Sequence, residues 1–495
     1  MSEYVNISVN AKCYGEYDVV VCGGGTAGCI AALASARQGA KTILIERSPY
    51  LGGMLTEGNA GLTKFIYHTK NQSVHRSIIH DLETDPQKAL TTGGIALELV
   101  HKLIAKNAAL GTAKTAGSYV YTDSQEFKIL LFEELQKAGV TVHLHSYIFN
   151  VIKEENRIVG VVYNTKEGAL FVKGKQIIDA TGDADVAAAA GADYAIGACE
   201  NDMSVKEGLA KPGFIQSMGA MYRIGGVDFK RFIEFIKKNP DRFTTHPYGM
   251  MSPDDVEAAY QKNDMIVVRG FFSSDKYHTE HGYLKEPDKH NFYQIYNYPR
   301  ENIAIGCVSW LLTDSLDGTK VDDLSQAEYE VLYCAKRQVQ RLRDEIEGFE
   351  NAFVLDVPTV GVRETRHVVG EYMLDQDDVL DMRNFDDSIG KSTHPVDIGP
   401  LTSKAKAWTM QDRFAFDLPY RILVAKGIDN LLLAGRLVSN TREAAGCTRA
   451  TVPCMITGEA AGTAAAILCN DKIPAAKNID VQKLRRTLKE KNVIL

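Results

Sequence analysis

Three glycines at one spacing carry the first chemical signal: Gly23, Gly25 and Gly28, in the pattern Gly-x-Gly-x-x-Gly. The first permits a tight turn. The second lets the backbone approach a pyrophosphate, and the third lets a helix pack closely on a strand. A helix beginning here turns free N–H groups and a partial positive charge toward the phosphates. Glu46 follows where an acidic side chain, ~20 residues on, accepts hydrogen bonds from ribose hydroxyls. Arg47 beside it keeps open a ribose carrying a 2′-phosphate. A plain glycine turn followed by a surface glutamate is the simpler alternative; the two features in one unit favour a dinucleotide.

Further glycine turns bear on which dinucleotide. Residues 48–56 read SPYLGGMLT, with Gly52 and Gly53 soon after the acidic residue. Residues 177–183 read IIDATGD, a strand meeting a glycine turn, and residues 430–436 read NLLLAGR. Pro453 then precedes an Ala-rich stretch holding Gly458 and Gly462. Several separated glycine turns suit a long, tightly held cofactor, FAD, better than an exchanging NAD. No second Gly-x-Gly-x-x-Gly unit is present to bind NAD(P)H.

Six stretches together resemble a known family: DVVVCGGGTAG, IERSPYLGGMLT, IDATGDADVA, VGVRETRHVVGEY, FDLPYRILVAKGIDNLLLAGR and GCTRATVPCMITGEAAGTAAA. The chain is similar, over most of its length, to FAD-dependent oxidoreductases with a glutathione-reductase-type FAD-binding domain. Its branch is the one ending AGR…GxxR…P…GxAAGTAAA. The resemblance implies that Gly23, Gly25, Thr26, Ala27 and Gly28 take the phosphates, with Glu46 and Arg47 at the ribose. It implies that Gly52, Gly53, Met54 and Leu55 also line the cofactor. The backbone of Ile148 would meet the adenine, and Ala180, Thr181 and Gly182 would run along the ADP half. Gly435 and Arg436 would approach the ribityl chain or pyrophosphate. The helix at Pro453 and Cys454 would aim its N-terminus at the flavin pyrimidine edge, where reduced flavin carries negative charge.

Flavin chemistry also needs a group that handles a proton. Residues 361–372 read GVRETRHVVGEY. As a helix, this stretch would set Arg363 on one face with Arg366 and His367. Arg442 and Arg449 flank a Gly-Cys turn before the flavin-facing helix. Four arginines near a flavin suggest an anionic substrate, because Arg binds carboxylate bidentately. The catalytic candidates are therefore Arg363, Arg442 and Arg449, with His394 of THPVDI. An even alternative gives Arg436 and Arg442 to cofactor phosphates and pairs Arg363 with Glu364 across domains. The family pattern carries His where this chain has Arg442. Tyr372 reads as ordinary packing, and Cys447 has no partner thiol for a redox disulfide. His75 with His80, and His143 with His145, lack further ligands, so no metal site is expected.

These residues need elements to place them. Residues 17–22, 27–38 and 42–45 read as strand, helix and strand, a βαβ unit. Helices are expected at 95–108 and 124–138, and a strand at 140–145. Residues 150–154 and 158–164 read as a hairpin continuing into 169–172, with a short strand at 175–178. From about 200 to 400 the chain is richer in aromatics and charge, with one long helix at 324–346. A strand at 430–434 and a helix at 460–468 restore the α/β pattern. The expected class is α/β: a Rossmann-like FAD-binding domain with an inserted α+β substrate domain. The expected boundaries are 1–200, 201–425 and 426–495.

Composition sets the outer limits. A chain of 495 residues exceeds a single hydrophobic core. A net charge of −7 gives no electrostatic reason to expect nucleic acid or an anionic membrane as partner. Nine scattered cysteines without C-x-x-C spacing suggest reduced thiols in the cytoplasm. Residues 1–16 lack a secretory pattern, and no run approaching ~20 apolar residues stands out. The expected activity is FAD-dependent hydride transfer to or from a small polar, possibly anionic metabolite, with an external electron acceptor or donor. Two alternatives stand beside it. One is a flavin-containing electron-transfer subunit working with a redox partner. The other is a non-redox, nucleotide-binding biosynthetic protein.

Overall fold

The computed structural model describes residues 5, 7–63, 90–110, 119–243, 253–261, 265–272, 292–307, 316–408 and 414–495. His75 and His80 lie outside them.

Strand β1, Lys12–Cys22, ends in four fully buried residues and runs directly into Gly23. Gly23 has φ +97°, a left-handed conformation that only glycine adopts cheaply. Helix α1, Thr26–Arg37, starts three residues later and is buried along most of its length by small side chains. Strand β2, Thr42–Ile45, returns parallel to β1 and closes the βαβ unit. Helices α2, Gly94–Ala105, and α3, Ser124–Lys137, follow. Asp123 caps α3 by accepting from the Gln125 and Glu126 N–H groups. Strand β3, Thr141–His143, adds parallel to β2.

Strands β4, Tyr147–Glu154, β5, Arg157–Thr165, and β6, Gly168–Asp179, form an antiparallel meander. Two separate strands were expected where β6 runs unbroken. Its first half pairs with β5; along its whole length the other edge pairs with β1.

The insert is a five-stranded antiparallel sheet with helices on one face. Its elements are β7, Met221–Gly225, α4, Phe229–Lys238, β8, Val267–Phe271, β9, Phe292–Asn297, β10, Ile303–Cys307, α5, Val321–Glu345, and β11, Phe353–Asp356. The strand order is β8-β9-β10-β7-β11. Strand β12, Arg366–Val368, then pairs with residues Tyr194–Ile196. The stretch read as a possible helix is therefore extended here, and Gly361 bridges to Gly219. Strands β13, Ser388–Ser392, and β14, Phe416–Pro419, form a ribbon.

Strand β15, Leu431–Leu433, pairs with the second half of β6. The parallel sheet thus reads β3-β2-β1-β6-β15, with the meander continuing it from the lower half of β6. Helices α6, Arg442–Thr448, α7, Thr451–Asn470, and α8, Val481–Glu490, complete the chain's described elements. Helix α7 takes in the expected 460–468 and begins at Thr451, just before Pro453. Added Cβ atoms on Gly458 and Gly462, one turn apart, would strike the carbonyls of Ala27 and Ala31. Bare glycines there let α7 lie directly on α1. By length and composition α7 could cross a membrane, but 94% of its most apolar window is buried inside the protein.

Two hydrophobic cores organise the molecule. One joins the parallel sheet, α1 and α7, and also takes in Val368 through Ala425. The other runs from Met218 to Val360. The described apolar residues between Val368 and Ala405 and between Phe414 and Ala425, grouped with the insert from sequence, therefore pack in the first core.

Candidate functional site

The glycine motif folds as its spacing requires. A Cβ on Gly28 would collide with the Gly23 carbonyl, and one on Gly23 would meet Ala180. A Cβ on Gly25 would have nothing within 4 Å. The open space beside Gly25, at the uncapped start of α1, fits a pyrophosphate. The second glycine turn lies on the first. Gly52 N–H donates to the Gly24 carbonyl at 2.8 Å, and Thr26 Oγ1 donates to the Gly52 carbonyl at 3.1 Å. Glu46 is buried and accepts from the Gly24 N–H, and from the Ser48 N–H at 2.7 Å. Burial pushes its carboxyl upward in spite of these donors. Arg47 is exposed, and its charge acts on Glu46, Asp183 and Asp185.

Residues 180–183 close the other side. Ala180 N–H donates to the Cys22 carbonyl at 2.8 Å, and Gly182 is left-handed at φ +84°. Asp179 holds the turn by accepting from Thr181 and Ala187; burial lifts its carboxyl to about 6. Arg436 donates to Asp183 at 2.6 Å and to Thr365 Oγ1 at 2.6 Å. Burial works against the Asp183 charge, but Arg436, Thr365 and Arg47 hold its carboxyl below the usual range. The Arg436 side chain is thus engaged by the ATGD turn. An added Cβ on Gly435 would lie 3.0 Å from Ala27 Cβ and 3.9 Å from Cys454 Sγ. The first motif and the first turn of α7 are therefore neighbours. Ile148 sits in β4, two residues after Ser146, whose N–H donates to the Glu46 carbonyl.

Beyond the phosphate cradle, polar residues from three segments meet. Thr451 Oγ1 donates to the Gly61 carbonyl, tying the start of α7 to the glycine loop. Met54 Cε lies 2.9 Å from where a Gly361 Cβ would stand, so that loop also abuts the approach to Arg363. Arg449, between α6 and α7, donates through Nη2 to the Asp397 carboxylate at 2.9 Å and to its carbonyl. Arg363 donates to the Ser217 carbonyl at 2.7 Å and to Ser217 Oγ at 2.9 Å. His394 Nδ1–H donates to the Pro395 carbonyl at 2.8 Å, which makes Nε2 its basic nitrogen. Burial opposes the Asp397 charge, but Arg449, then Arg363 and His394, outweigh it and lower its carboxyl. The Asp397 side chain is nonetheless 42% exposed and open to an incoming molecule.

Arg442 lies behind this cluster, with no exposed side-chain surface. Its Nε is 3.2 Å from Glu364, and its Nη2 donates to the Gly399 carbonyl at 2.7 Å. Glu364 accepts from the Gln216 N–H, and Gln216 accepts from the Gly399 N–H at 3.0 Å. His367 bonds Asn440 at 2.8 Å and faces Glu364 at 3.6 Å. Burial opposes the Glu364 charge; His367, Arg442 and the Gln216 N–H outweigh it and lower its carboxyl. Arg442 and Gln216 thus anchor the segment that carries His394 and Asp397. Arg442, a catalytic candidate from sequence, is here fully buried and engaged by Glu364 and the Gly399 carbonyl. Glu364 pairs with Arg442 rather than with Arg363, so the expected Arg363–Glu364 bridge is replaced.

Sequence reasoning nominated Arg363, His394 and Arg449, named Glu364 only as a partner for Arg363, and passed over Asp397, Ser217 and Gln216. Asp397 stands three residues from His394 in THPVDI and offered a signal; Ser217 and Gln216 offered none. Burial lifts the Cys447 thiol well up and the Cys454 thiol to about 12, so neither is a thiolate at neutral pH. His143 bonds the Tyr163 hydroxyl at 3.0 Å. Among the described residues no group of His, Cys, Asp and Glu could hold a metal ion.

Comparison with known proteins adds the relatives. The chain is 29% identical over 169 residues to the digeranylgeranylglycerophospholipid reductase of Picrophilus torridus, covering 34% of this chain and 39% of that one. It is 28% identical over 177 residues to the thiamine thiazole synthase of Desulfosudis oleivorans, covering 34% of this chain and 57% of that one. The chain therefore spans about two fifths to three fifths of these relatives' lengths. A solved geranylgeranyl bacteriochlorophyll reductase-like protein of Thermoplasma acidophilum superposes with a TM-score of 0.43 at 16% identity, covering 96% of this chain and 84% of that one. The model of the FAD dependent oxidoreductase family matches residues 18–488, and with that near end-to-end match the protein belongs to the family and takes FAD as its cofactor.

Proposed function

We propose that this oxidoreductase acts on a small polar metabolite held among Arg363, His394 and Arg449, by hydride transfer between that metabolite and the flavin. The carrying observation is the convergence of Arg363 and Arg449, from distant segments, and of nearby His394 on Asp397 beside the first turn of α7. In this reading FAD lies along Gly25, with its ribose at Glu46 and its adenine near Ile148. Thr181 and Gly182 follow the ADP half, and Gly435, Pro453 and Cys454 border the flavin end. Bound FAD supplies the hydride donor or acceptor. Arg363 and Arg449 orient the substrate through N–H groups, and His394 takes or gives a proton at Nε2. The scattered spacing of the cysteines in the sequence, with no C-x-x-C pair, favours a reducing, cytoplasmic setting.

The test is direct. The purified protein should be yellow and release FAD on denaturation. Replacing Arg363 or Arg449 with Met should retain FAD and lower turnover at least about tenfold, or about 1.4 kcal/mol. Unchanged turnover in both variants overturns the assignment. So does a colourless protein carrying no flavin.

A further inference from the structure

Arginines beside a flavin invite an anionic substrate, but the hydrogen bonds of this cluster point elsewhere. Arg449 directs Nη2 at the Asp397 carboxylate and carbonyl together. Arg363 directs Nε and Nη2 at Ser217. Both guanidinium forks are turned partly toward the protein. An incoming carboxylate would have to share Arg449 with Asp397, placing two negative charges side by side.

Asp397 itself has the opposite disposition. Its side chain is 42% exposed, and Arg449 is its one side-chain hydrogen-bond donor among the described residues. An ionised carboxylate is acceptor-only and takes O–H or N–H groups. The cluster therefore offers a strong acceptor next to arginine donors. That alternation suits hydroxyl groups, each of which both donates and accepts.

We propose that Asp397 sets the substrate class: it receives hydroxyls of an uncharged polyol or sugar and excludes carboxylate-bearing molecules. This rests on the reading of the cluster as the substrate site. A site built to hydrogen-bond a hydroxyl discriminates strongly against molecules that leave its buried groups unpaired, and a repulsive charge sharpens the choice.

The holoenzyme tests this through the visible spectrum of its flavin. Sorbitol and myo-inositol would be titrated against succinate and malonate, with ligand-induced thermal shift as a second readout. The polyols should perturb the flavin at least about tenfold more tightly than the dicarboxylates. Asp397→Asn should move that ratio at least about tenfold toward the dicarboxylates, and Asp397→Glu should hold it near wild type. Dicarboxylates binding the wild type as tightly as polyols overturn the proposal, whether or not the variants fold. An unchanged ratio in a folded Asp397→Asn protein does the same. In either case, loss of all ligand response in Arg449→Met leaves the substrate site standing. A wild type silent to both ligand panels overturns the Asp397 proposal; retained turnover in the Arg363 and Arg449 variants overturns the site itself.

Discussion

A methyl group added at Gly25 and one added at Gly28 meet opposite surroundings. At Gly28 it strikes the Gly23 carbonyl; at Gly25 it enters open space. Gly28→Ala should therefore destabilise the protein itself by about 1–3 kcal/mol, through overpacking where helix meets strand. Gly25→Ala should leave apoprotein stability within about 0.5 kcal/mol and weaken FAD about tenfold, or about 1.4 kcal/mol. Thermal melts of the apoprotein and FAD titration separate the two. Equal losses of stability would contradict the division of roles. These glycines were legible because one residue type at one spacing encodes backbone geometry. Asp397 and Arg442 were not, because their meaning depends on partners far along the chain. In sequence Arg442 reads as a substrate or phosphate contact, and only the long-range contacts with Glu364 and Gly399 make it an anchor.

At the scale of elements, α7 does more than pack. Glu459 on its buried face accepts from the Ile95 N–H at 2.9 Å, at the start of α2. Burial lifts its carboxyl from 4.5 to about 7. The folded protein therefore binds this proton more tightly than the unfolded chain does. Its favourable contribution is present in full below pH ~4.5 and is lost as pH rises toward 7, about 3 kcal/mol in all. Glu459→Gln removes that dependence. Urea unfolding at pH 5 and pH 8 should show the variant gaining about 2.5 kcal/mol on wild type across the interval. A constant difference at both pH values would refute it. The βαβ unit and the long helix α5 were legible, since strong periodicity and turn glycines agree there. Helix α7 was legible at its Ala-rich run, 460–468, and in the helix start marked by Pro453; the helix itself begins at Thr451. In the first turn, where no N–H is needed, proline is compatible with the helix. Residues 361–372 carry helix-like spacing, yet tertiary pairing with Gly219 and residues 194–196 holds the stretch extended.

Across the whole molecule, the two cores meet through a third cluster, in which Leu110 and Tyr121 pack on Met265, Val267, Tyr296, Tyr298 and Ile305 of the insert. Arg300 reaches across to Asp123 at 2.5 Å. The inserted topology was legible from the return of the α/β pattern near the C-terminal part. Its boundary was not, because the stretch after Val368 looks aromatic and irregular in sequence while its described apolar residues pack with the first core. The proposed FAD cradle lies on that first core, so excess cofactor should stabilise it preferentially. At a hundredfold excess over Kd the gain is about 2.7 kcal/mol. Calorimetry with increasing FAD should raise the transition of the first core more than that of the insert. A single transition moving as a unit would show that the three clusters unfold together.

The close seat of α7 on α1 has a consequence for biosynthesis. Ribosomes release β1 and α1 early, but their carbonyls at Ala27 and Ala31 wait for Gly458 and Gly462. At about 5–20 residues per second, more than 400 residues at ~20–90 seconds separate the two. The nascent chain spends that interval with an apolar helix and sheet uncovered, which is when a chaperone would have its use. Cofactor loading, in turn, belongs after the cradle's last helix has left the ribosome.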